Sequence, residues 1–130
     1  MSWFRFGSVI FAAWGVAFFF LPRFSNELSG VDYVVDLHAE DWTRLIGLTM
    51  FAMAFMLNAA HGTSNPEARR IIARGVLMLS LALAIVITYW QIIPDGRWNR
   101  LGIANIVILL VVSYGIFAQS GLRIGRWRSN

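Results

Sequence analysis

The chain has 130 residues, 58% of them hydrophobic and only 14% charged, and its mean hydropathy is +0.61. A water-soluble domain carries about a quarter of its residues as charges, so a globule hidden in water is excluded. There is no cysteine and all eleven basic residues are arginine, which removes disulfides, thiolate metal sites, thiol catalysis, Schiff-base lysines and a P-loop lysine.

A single domain over residues 1–130 is expected at this length. Four apolar runs follow in order, at about 3–21, 43–60, 71–92 and 101–118. Each is close to the ~20 residues that cross a ~30 Å hydrocarbon core as a helix. The first run ends at Pro22, and "AFFFLPRF" holds no small-x-small cleavage site, so it is expected to be retained as a span. An outer loop, 22–42, comes next, with an amphipathic segment. The second run closes at Gly62, read as a helix C-cap. Ser64 and Glu67 have capping-box spacing, with Asn65-Pro66 as the alternative start of the third helix. Pro94-Asp95-Gly96 reads as a tight turn before the fourth. The expected fold is an all-α membrane protein, four transmembrane helices in an up-down bundle.

Arginine placement orients it. With the N-terminus in the cytoplasm, Arg5, Arg69, Arg70, Arg74, Arg123, Arg126 and Arg128 lie inside and Arg23, Arg44, Arg97 and Arg100 outside. Short loops make that excess decisive, and both termini are predicted to be cytoplasmic. Trp42, Tyr89, Trp90 and Trp98 then mark one boundary and Trp3 and Trp127 the other, with Trp14 left to lipid or a neighbouring helix.

The outer loop contains "VDYVVDLHAEDWTRLIG". As a helix it aligns Asp32, Asp36 and Glu40, pairs Glu40 with Arg44 four residues on, and leaves Asp41 to cap the next helix. As an extended strand it points Asp36, His38 and Glu40 the same way, a set suited to a divalent cation. The solvated, amphipathic reading ranks first. His61, the second histidine, lies nineteen residues past Trp42, about 28 Å along a helix, so the two imidazoles cannot share an ion. No cofactor is implied.

All seven acidic residues lie outside the four runs, which disfavours intramembrane proton relay. Polar and small side chains within the runs fall on stripes: Gly47, Ala54, Asn58 and His61; Ser80, Ala84, Thr88 and Gln91; Asn105 and Ser113. Such stripes mark helix–helix contact in membranes. Ser80, Thr88, Gln91 and Asn105 are therefore expected to serve packing. Asn58, Arg74, Ser113 and Tyr114 are the candidate lining of a lipid- or quinone-sized pocket near the inner leaflet. Arg123, Arg126 and Arg128 beside Trp127 are expected to hold anionic lipid headgroups, a nearer target than nucleic acid.

"WGVAFFFLP", the loop "VDYVVD", "RLIGLTMFAMAFML" and "RGVLMLSLALAIV" together resemble small bacterial four-helix integral membrane proteins of unassigned activity, including DoxX-like chains. That resemblance spans most of the chain. It implies a four-helix fold in a bacterial inner (plasma) membrane and carries no catalytic residue across. Membrane glutathione transferases are similar in size and helix count, but Arg44 and Asn58 are too far apart to match their second-helix motif. The ranked expectations are a non-enzymatic accessory or scaffold subunit of a homo-oligomer or larger membrane complex, then a lipid- or quinone-binding protein, then a small-solute transporter formed by oligomerisation.

Overall fold

The computed structural model describes residues 2–28, 38–92 and 100–121. These form α1 (Trp3–Phe20), α2 (Pro22–Leu28), α3 (Ala39–Gly62), α4 (Pro66–Ile92) and α5 (Arg100–Ser120). All but α2 are long and apolar enough to cross a membrane. α1 packs on α3, α3 on α4, α4 on α5 and α5 back on α1, while α2 lies against α3 and α1. Neighbours in that cyclic order make an up-down four-helix bundle, as the sequence pattern predicts.

Each span buries one narrow stripe. On α1 this is Phe4, Gly7, Phe11 and Gly15, a three-four spacing that keeps one face inward. On α3 it is Thr43, Gly47, Met50, Met53, Ala54, Leu57 and Ala60. Ala73, Val76, Ser80 and Leu83 continue it on α4, and Leu109, Val112 and Ile116 on α5. The outward faces are just as apolar: Val9, Val16, Met78, Ile85, Val107 and Leu110 are exposed, and Phe55 is 76% accessible. An apolar surface on every side needs a non-aqueous solvent. This is the surface of an integral membrane protein.

The α1–α3 seam is the tightest. A methyl group on Gly47 would lie 2.8 Å from the Phe19 backbone nitrogen and 3.1 Å from the Gly15 carbonyl oxygen. Two backbones meet there with no room for a side chain, the close approach that small residues permit in membranes. Ser8 on α1 adds a hydroxyl donated to the Ala54 carbonyl of α3 at 2.9 Å.

Helix ends depart from the apolar runs, for a common reason. Hydropathy reports where the hydrocarbon begins, whereas a helix continues until its backbone finds another partner. Thus α3 starts at Ala39 rather than Thr43, with Glu40 and Asp41 both in its first turn. Asp41 is not its N-cap; His38 holds that position and makes no side-chain cap bond. Gly62 is not a left-handed cap either, since it completes α3 and Thr63 follows in extended geometry. The alternative start of α4 is the one adopted. Asn65 Oδ1 accepts from the Glu67 and Ala68 amides at 2.9 and 3.3 Å, with Pro66 at the first helical position. Pro22 both ends α1 and opens α2, because proline tolerates a first turn but not an interior.

Candidate functional site

The α4–α5 seam is open where the α1–α3 seam is closed. A groove of about 550 Å³ runs between α4 and α5, lined by Leu77, Ser80, Leu81, Leu110, Ser113, Tyr114 and Phe117. Its rim is accessible: Leu81 and Leu110 are exposed and Tyr114 is 74% accessible. Ser80 is only 1% exposed, and its Oγ has no hydrogen-bond partner. Thr49 and Thr88 show what hydroxyls on these helices otherwise do: each donates to the carbonyl four residues back, at 3.0 and 2.7 Å. Ser80 sits nine residues past Ile71, roughly 13 Å up the apolar run. The oxygen is enclosed, so an occupant of the groove would meet the apolar side chains around it and not the hydroxyl.

The two ends of the bundle differ in charge. At the end shared by the α1 N-terminus, the α3 C-terminus, the α4 N-terminus and the α5 C-terminus stand Arg5, Arg69, Arg70 and Arg74. Arg69 is committed to structure. It donates to the Thr63 and Ala60 carbonyls at 2.7 and 3.3 Å, closing the end of α3, and lies 6.0 Å over the Phe4 ring. Arg5, Arg70 and Arg74 are exposed and take part in none of the ion pairs among the described residues. At the opposite end every described arginine side chain has a carboxylate. Arg23 pairs with Glu27 at 3.1 Å, and Arg44 with Glu40 and Asp41 at 3.6 and 3.5 Å.

Of the predicted pocket residues, Ser113 and Tyr114 line the groove. Arg74 lies one turn below its Leu77, whereas Asn58 is exposed on α3, away from a groove built by α4 and α5 alone. Ser80, assigned to packing by its stripe, is buried on α4 and also borders the groove. Thr88 bonds within its own helix, Asn105 is half-buried on α5, and the Gln91 side chain lies outside the described residues. So do Asp36, the 94–96 turn and the tail arginines Arg123, Arg126 and Arg128. In the proposed metal set, His38 is exposed with Nδ1 3.7 Å from Asp41 Oδ2. Glu40 belongs to the first turn of α3 and faces Arg44, the predicted helical pairing, so the extended geometry does not run from His38 to Glu40.

Two further polar sites escaped the sequence reading. Gln119 Oε1 on α5 accepts from the Trp3 amide at 2.6 Å and from the Ser2 hydroxyl at 3.2 Å. One free amide of the first turn of α1 is thereby answered from another helix, and Trp3 lies directly over Gly115. At the far end, Asn26 of α2 and Thr43 of α3 are both buried. Thr43 Oγ1 is 2.6 Å from Asn26 Oδ1 and 2.7 Å from the Ala39 carbonyl, but a hydroxyl has one proton. Turning the Asn26 amide over resolves this: Nδ2 donates to Thr43, and Thr43 donates to Ala39. Either way one atom of the Asn26 amide is buried without a partner.

No family model, no curated protein and no solved structure matches the chain. The resemblance to DoxX-like proteins rests on the quoted segments alone.

Proposed function

We propose that this integral membrane protein is a non-enzymatic accessory protein that holds an apolar membrane molecule, a lipid or quinone, in the α4–α5 groove. The arginine excess at the Arg5–Arg74 end supports a cytoplasmic position for that end. One observation carries the reading: a groove lined mostly by apolar side chains lies between α4 and α5 and is open to the bundle exterior. Its volume falls within the range of small-molecule pockets, and hydrocarbon chains are what a bilayer presents at its mouth. Filling the groove with Ser113→Leu should reduce the lipid or quinone retained by detergent-purified protein about tenfold, read by native mass spectrometry. Equal retention by wild type and variant would sink the proposal.

A second reading, a scaffold that takes a helix of another copy into the same groove, is favoured by the small Ser80 and Ser113 on adjacent helices. The chain has no cysteine, so Ser113→Cys gives a clean test. Disulfide-linked dimers formed in native membranes would select the scaffold, and their absence under oxidant would leave the groove to a small molecule.

A further inference from the structure

We infer that the groove's occupant is an anionic phospholipid of the cytoplasmic leaflet, its acyl chain between α4 and α5 and its phosphate on Arg70 and Arg74. This rests on the lipid reading above and adds the headgroup class. Arg70, Arg74, Leu77 and Leu81 are spaced i, i+4, i+7 and i+11 on α4, a single stripe along the helix. The upper two line the groove. The lower two continue it to the membrane boundary, where long arginine side chains reach the headgroup level.

Arg70 also faces the right seam. Its Nη2 lies 3.8 Å from the place a Cβ would take on Gly121, just past the last turn of α5, so its guanidinium spans from α4 toward α5 at the groove's lower mouth. Gly121 has a φ of +69° and brings no side chain of its own to that mouth. Neighbouring Arg69 is consumed by the α3 carbonyls; Arg70 and Arg74 have no carboxylate within ion-pair range among the described residues. Two unneutralised guanidiniums at the end of an apolar trough complement a phosphate joined to a hydrocarbon chain.

The test uses the full-length protein, delipidated in detergent and offered phosphatidylglycerol or phosphatidylcholine of identical acyl chains, with retained lipid counted by native mass spectrometry. Wild type should prefer phosphatidylglycerol by about thirty-fold at low ionic strength, the sum of two basic contacts, and the preference should fall with salt. Arg70→Gln/Arg74→Gln should abolish the preference while still retaining lipid, and Arg70→Lys/Arg74→Lys should keep it. Equal retention of the two lipids by wild type would overturn the headgroup assignment and leave the groove reading standing. So would a preference surviving in the glutamine variant, or displacement of the lipid by inorganic phosphate at equal concentration. Retention of neither lipid would remove the groove reading and this inference together.

Discussion

Along α1 and α3 the backbones meet at Gly15 and Gly47; along α4 and α5 a groove is lined by Leu77, Ser80, Leu110, Ser113 and Phe117. The glycines bring two backbones into contact and leave nothing to fill. The larger side chains of the second set leave a trough along their seam, and the serines between them are too short to close it. Water does not drive helices together inside a bilayer, so contact there depends on packing and polar bonds. Any volume the helices leave must be taken by lipid or by another protein. Side-chain size at a handful of positions therefore separates a seam that only holds the bundle from one that receives something.

The sharpest way to break the comparison is at Gly47. Gly47→Ala should destabilise the bundle by about 1–3 kcal/mol, because its methyl group meets backbone, which cannot swing aside. Gly62→Ala has open space around it and should gain up to about 1 kcal/mol from helix propensity. Thermal unfolding in detergent should rank the two on opposite sides of wild type. A Gly47→Ala midpoint equal to wild type would mean that the seam has slack and that the contrast with α4–α5 is one of degree.

Next in size is the buried pair that ties α2 to α3. Thr43→Val keeps the shape of the side chain but strands the whole Asn26 amide, costing about 1–3 kcal/mol. Replacing both partners, Asn26→Leu with Thr43→Val, should recover most of that loss, since an apolar pair asks for no bonds. A double-mutant cycle on unfolding free energies measures the coupling. Additive effects would show that the two side chains act independently.

The spans could be read from the sequence because hydropathy at a 3.6-residue period reports the solvent directly. The start of α3 could not, since Ala39 and Glu40 are too small or too polar to register, although their backbones are helical; the start of α4 could, from Asn65-Pro66. Gly47 was visible as a contact residue on its stripe; that it meets Gly15 was not, because a stripe gives a face and not a partner. The same ambiguity divided the candidate pocket. Depth put Asn58 beside Arg74, but rotation about the α3 axis turns Asn58 away from the groove that Ser113 and Tyr114 line. Gln119 and Asn26 carried no signal, as each acts on residues far along the chain and sits in no periodic pattern. A polar residue within a turn of a span's end, opposite the start of another, is the pattern that would have exposed Gln119.

The smallest expected effect concerns how α1 is held on its open side. Gln119→Ala removes the acceptor for the Trp3 amide and the Ser2 hydroxyl, and Ser2 makes no cap bond of its own to replace it. Loss of an N-cap costs about 1 kcal/mol, partly offset because this end of α1 is exposed and water can bind the freed amide. Gln119→Glu should match wild type or exceed it by up to about 1 kcal/mol: a carboxylate accepts both bonds and adds a negative charge at the positive end of the α1 dipole. The order Glu at least equal to Gln, and Gln above Ala, in thermal midpoint identifies an electrostatic cap. If all three unfold together, the contact between α1 and α5 is carried by packing, the Trp3 ring on Gly115 and Val112 and Ile116 over Gly7, and Gly115→Ala, which would drive a methyl group into the Trp3 ring, becomes the substitution that weakens it.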